Sequence, residues 1–169
     1  MVRAIHSSRK TVTRRLAGSP LRLVKAGDLL WVKEKFTVES VRKNNDCPVA
    51  GITYAADGAA ETVPVNDVKI LSQVKRKKNG RLAVAPAIFM PRQAARLTLR
   101  VIEVRSEKLH DITLEQVRSE GVVVYGSEAN SEQAWRSLFR DLWDSLHSNP
   151  GERWADNPDV IAIEFTRLT

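Results

Sequence analysis

Hydrophobic and polar positions alternate along Leu97-Thr98-Leu99-Arg100-Val101-Ile102-Glu103-Val104, the period-two pattern of a long half-buried strand. Leu29–Phe36 is also expected to be a strand, after the turn Ala26-Gly27-Asp28, and Val160–Phe165 gives a final strand. Ile52–Ala56 and Ala59–Val63 flank Asp57-Gly58 and predict a hairpin. Two helical signals follow the long strand. Thr113 and Gln116 stand at capping-box spacing, so a short helix starts there and stops at Gly121. A longer helix from Ser131 carries Trp135, Leu138, Phe139, Leu142 and Leu146 at three- and four-residue intervals, with Trp143 widening the stripe. This stripe is expected to be core. Val2–Ser8 is a further short helix. Many short strands with a few small helices predict an α+β fold built on a small barrel.

The chain has 169 residues, which suits one domain, and its 43% apolar and 28% charged content is ordinary for a folded protein. The net charge of +7 is unevenly spread: residues 1–102 carry a balance of +13 and residues 103–169 a balance of −6. A strongly positive region suits an anionic partner such as a nucleotide or nucleic acid. Cys47 is the only cysteine, which excludes an intramolecular disulfide. With His6, His110 and His147 scattered, no metal site is expected. The cysteine usage fits a reducing cytoplasm, and no apolar run approaches a membrane span. Residues 1–27 hold seven Lys/Arg and no acid, as a transit peptide would. The same residues carry the strongest motif, so they are read as part of the fold. Lys75-Arg76-Lys77-Lys78-Asn79-Gly80-Arg81 reads as a basic hairpin tip, either solvated or contacting nucleic acid, with Asn79-Gly80 suited to a type I′ turn.

The most informative segment is Arg9-Lys10-Thr11-Val12-Thr13-Arg14-Arg15, four cations around two hydroxyls and one apolar residue. Such crowding costs self-repulsion unless an anionic or catalytic function uses it. The plainer reading is a solvated basic strand.

Ala4–Arg15, followed by Gly27-Asp28-Leu29-Leu30-Trp31-Val32-Lys33-Glu34, resembles the start of the ASCH domain family, a branch of the PUA-like superfamily. Phe89-Met90-Pro91-Arg92, the strand ending at Val104 and the helix around Ile112–Gly121 continue the resemblance. Leu142–Ser145 and Trp154–Pro158 match its longer, phage-type members. The similarity spans nearly the whole chain and implies a single domain over residues 1–169, a PUA-like small mixed β-barrel with flanking short helices. It implies three activities: removal of acyl groups from the exocyclic N4 of cytidine-type nucleosides, RNA binding, and ribonuclease action. For the amidohydrolase it places the catalytic set on Lys10, Thr13 and Glu120, without cofactor, and the substrate would be a small nucleoside. It marks Arg9, Arg14, Trp31, Glu34, Arg92 and Trp154 for substrate contact, with core packing the alternative for both tryptophans. Two positions depart from the family pattern: Ser8 stands where a glycine is common, and Gln93 where an aromatic often follows Met-Pro-Arg.

Amide hydrolysis of this kind needs a nucleophile, a base, an oxyanion stabiliser and an acid for the leaving amine. Thr13 attacks only if a neutral amine takes its proton. Lys10 supplies that amine if burial, or repulsion from Arg9, Arg14 or Arg15, lowers its pKa. Paired with Glu120 and charged, Lys10 would instead stabilise the oxyanion. In a regular strand residues 10 and 13 face opposite sides, so the chain is expected to bend between them.

Overall fold

The computed structural model describes residues 1–42, 48–64, 77–78 and 81–168. Cys47, Lys75, Arg76 and the Asn79-Gly80 turn lie outside the described residues. The fold is mixed α+β with antiparallel sheets and short helices. It forms two compact units, residues 3–30 with 99–168 and residues 31–98.

In the first unit, helix α1 (Val2–His6) ends in a tight turn. Ser8 adopts φ +55°, a left-handed conformation that favours glycine. The amides of Arg9 and Lys10 then both donate to the Ala4 carbonyl, at 2.9 and 3.0 Å. Strand β1 (Val12–Leu16) follows and occupies a sheet edge. It pairs with β9 (Asp159–Arg167), which pairs on its other side with β8 (Thr98–Lys108). Strand β2 (Leu29–Trp31) closes the order β1-β9-β8-β2. Both faces of β9 are covered, which is why Val160–Ile163 is a continuous apolar run. Val160 joins Leu109, Ile112, Val117, Val122, Phe139 and Trp143 in one core cluster. Ile161 and Ile163 pack with Val101 on the alternate positions.

Helix α2 (Leu114–Ser119) starts at the expected capping box, Thr113 Oγ1 accepting from the Gln116 amide at 3.3 Å. It ends at Glu120, with Gly121 at φ +82°. Helix α3 (Glu132–Leu146) is capped by Ser131, whose side chain accepts from the Ala134 amide. Its stripe divides. Phe139 and Trp143 are buried and Trp135 packs partly against them, whereas Leu138, Leu142 and Leu146 are exposed. Aromatics at i and i+4 fill the inner row and leave the leucines on the neighbouring row at the rim.

The second unit holds the sheet β3-β4-β5, with β3 at Phe36–Arg42, β4 at Val49–Tyr54 and β5 at Ala60–Pro64. The expected β4–β5 hairpin is present, Thr53 opposite Ala60. Its core gathers Phe36, Val38, Ile52, Tyr54, Val63 and Met90. The strand expected over Leu29–Phe36 is split in two: β2 stops at Trp31 and β3 begins at Phe36. Between them Val32 donates to the Leu97 carbonyl and Glu34 turns inward to a buried ion pair. Two-residue strands β6 (Lys77–Lys78) and β7 (Arg81–Leu82) pair with Lys78 opposite Arg81.

Candidate functional site

The basic segment enters the first unit as buried backbone, in contrast to a solvated strand. Lys10, Thr13, Arg14 and Glu120 are 4%, 8%, 2% and 7% exposed. Val12 between them is buried as well, Thr11 and Arg15 are half-buried, and only Arg9 of the segment is exposed, with its Nε donating to Ser7 Oγ at 2.9 Å. The turn at Ser8 delivers Lys10 into a bridge with Glu120, and the Thr11 amide donates to the Ser119 carbonyl at 2.9 Å. The end of α2 thereby lies along the start of β1.

Two cations and two carboxylates meet here. Lys10 Nζ contacts Glu120 Oε2 and donates to the Glu120 backbone carbonyl at 3.0 Å. The other carboxylate oxygen, Oε1, lies 3.3 Å from Arg14 Nη1. Arg14 Nε donates to Glu107 Oε1 on β8 at 2.8 Å, and Nη2 donates to Gln116 Oε1 on α2 at 2.8 Å. Burial is the largest influence on Lys10 and lowers its pKa from 10.5. The charge and hydrogen bond of Glu120 oppose the shift, while Arg15 and Arg14 add to it. The net direction is downward, so this amine gives up its proton more readily than a surface lysine.

Thr13 does not join the network by hydrogen bonds. It lies directly across β1–β9 from Ile163, at the position alternating with Arg14. Its Oγ1 is buried without a hydrogen-bond partner. An unpaired buried hydroxyl is uncommon, because the lost hydration is normally replaced by a protein acceptor or donor.

The residues marked for substrate contact separate. Arg14, expected to touch substrate, directs its guanidinium to Glu107, Gln116 and Glu120 inside the protein. Glu34 is equally internal: at 1% exposure it is held by Arg96 through two hydrogen bonds of 2.9 and 2.8 Å. Arg96 also pairs with Asp57 and stacks on the Tyr54 ring at 4.0 Å. Trp31 and Arg92 line one pocket of about 290 Å³ with Gln93, Ala95 and Thr98. Lys33 Nζ stands 4.9 Å above the Trp31 ring. Trp154 packs against the first unit's core, 6.0 Å from Phe139 and 4.6 Å from the His110 ring.

Glu107, Gln116 and Arg96 were not foreseen. Gln116 announced itself only as a capping residue, and the Arg14–Glu107 pair spans 93 positions of sequence. Neither link has a local signature. Among the described residues no group of His, Cys, Asp and Glu is placed to hold a metal ion. No described helix is long and apolar enough to cross a membrane.

Comparison with family models, curated proteins and solved structures finds no match. The site must therefore be read from its own chemistry.

Proposed function

We propose that this chain is an amidohydrolase that removes acyl groups from the N4 of cytidine-type nucleosides, with Thr13 as nucleophile, Lys10 as base and Glu120 as proton carrier. The reading brings together the resemblance to the ASCH domain family, with its PUA-like fold, and one observation that carries it. That observation is a buried, partnerless hydroxyl three residues from a buried lysine whose pKa is lowered and whose proton has a carboxylate to move to.

The free chain holds Lys10 on Glu120, with Thr13 outside that hydrogen-bonded network. Thr13 stands at the strand position alternating with Arg14, so the reaction requires β1 to rearrange in the substrate-bound chain until the hydroxyl reaches the amine. Lys10 passes its proton to Glu120, then accepts the Thr13 proton as Oγ1 attacks the acyl carbon. The protonated Glu120 supplies the leaving N4 amine, which departs as cytidine and leaves an ester on Thr13. Water cleaves the ester, releases the carboxylic acid and returns the hydroxyl. Burial favours Lys10 as base over Lys10 as a permanent oxyanion partner, because desolvation works against the charged amine.

Incubation of the purified protein with N4-acetylcytidine, followed by ultraviolet absorbance, tests the reading. Cytidine and acetate are expected. Intact N4-acetylcytidine, with RNA retained in a strongly salt-dependent manner, would replace this activity with an RNA-binding one.

A further inference from the structure

Arg14 occupies an unusual position for a member of a basic cluster. Its guanidinium is directed to three protein side chains from two elements: Glu107 of β8, and Gln116 and Glu120 of α2 and its end. Gln116 is itself fixed, because the same Oε1 that receives Arg14 also accepts the Thr113 amide at 3.1 Å. The capping box that starts α2 therefore orients the amide that orients Arg14. At the other end of the same helix, Arg14 takes Glu120 Oε1 and leaves Oε2 to Lys10.

Charge balance gives this arrangement a purpose. Arg14 and Glu107 neutralise one another within the buried cluster, with Nη2 to Oε1 at 2.7 Å. Lys10 and Glu120 form the second balanced pair. A proton passing from Lys10 to Glu120 leaves both pairs neutral, so the transfer creates no net charge away from water, where an unpaired charge is costly. Without Arg14, both Glu120 oxygens would be free to engage Lys10 and hold its ammonium charged.

We propose that Arg14 is a positioning residue, which fixes the Glu120 carboxylate with one oxygen toward Lys10 so that this pair can exchange a proton. What Lys10 then does with its neutral amine rests on the amidohydrolase reading; the positioning itself does not. The groups bearing on Lys10 are Glu120 from the end of α2 and Arg14 and Arg15 from β1, with Glu107 of β8 behind Arg14.

The test follows the Lys10 13Cε resonance against pH in the full chain labelled with 13C-lysine, assigned through Lys10→Arg. The variant is Arg14→Met combined with Glu107→Leu, which removes the balanced pair together and so avoids stranding a single buried charge. Its Lys10 midpoint should rise by about one pH unit or more, because both Glu120 oxygens can then hold the ammonium. Hydrolysis of N4-acetylcytidine at neutral pH should fall about tenfold or more, with the alkaline limb of its profile moving in parallel. A folded variant with an unmoved Lys10 midpoint would overturn the proposal. Should the double variant not fold, Arg14→Lys serves: it retains the charge but lacks the planar fork that spans three acceptors, and the same upward movement is expected. An unmoved midpoint there overturns the proposal equally. If the parent leaves N4-acetylcytidine intact, the function is wrong and the resonance still decides the role of Arg14.

Discussion

A Cβ added at Gly121 would lie 2.9 Å from the Lys10 Cβ and 2.9 Å from the Ala4 Cβ. The absent side chain lets the end of α2 press against the site lysine, and φ +82° adds a backbone reason for glycine. Gly121→Ala should therefore cost about 2–5 kcal/mol, combining roughly 1–2 for the left-handed backbone with 1–3 for overpacking. Urea denaturation measures this. A loss below about 0.5 kcal/mol would show that neither the backbone conformation nor the contacts with Lys10 and Ala4 require glycine here.

Thr13 separates stability from activity. Because its Oγ1 has no hydrogen-bond partner, Thr13→Val replaces an unsatisfied hydroxyl with a methyl of similar size at a buried strand position. The variant should be more stable by about 1 kcal/mol, the lower range of the burial penalty. Turnover of N4-acetylcytidine should fall by a factor on the order of a thousand, since the nucleophile is gone. Parallel denaturation and kinetic measurements decide it: undiminished turnover would remove Thr13 from the mechanism.

The lowered pKa of Lys10 fixes the sign of a pH effect. Between the folded-state value and 10.5, the unfolded chain binds more protons at this residue than the folded one. Stability attributable to Lys10 therefore rises with pH through that window and is lowest below it. Subtracting the profile of Lys10→Met from that of the parent should leave a positive slope on the alkaline side of neutrality. A negative slope would mean that Glu120 holds the amine more firmly than burial disfavours it.

Arg96 holds the buried Glu34 carboxylate of the second unit while also pairing with Asp57. Arg96→Met strands that carboxylate and should cost about 3–5 kcal/mol, whereas Arg96→Met with Glu34→Met should recover most of the loss. A double variant no more stable than the single one would show that the ion pair is not the reason for the cost.

Local patterns were the legible part of this fold. The capping residues Thr113 and Ser131, the turn at Asp57-Gly58 and the alternating strand over Leu97–Val104 each act within a few positions, and the elements they announce are present. The breaks came where distant partners decide. Leu29–Phe36 reads as one strand until Glu34 finds Arg96, 62 positions away, and turns from the ladder. In α3, spacing alone made Leu138 and Phe139 equal members of a stripe; the size of the aromatic row selected which of them is buried. The site followed the same division. Lys10 and Glu120 do meet, whereas their pairing with Arg14, Glu107 and Gln116 depends on three elements that no spacing relates. Ser8 carries no such local signal, since a serine does not announce the left-handed φ of +55° that it adopts.

Strand β1 is the outer member of its sheet, and an outer strand offers unpaired amides and carbonyls to any other chain. Here the end of α2 covers the start of that rim, through the Thr11–Ser119 hydrogen bond and the Lys10–Glu120 bridge. The same contacts that assemble the site thus act as a guard against strand addition. Changes that loosen α2 from β1 would open adhesive backbone along with the site, so self-association would accompany the loss of its geometry.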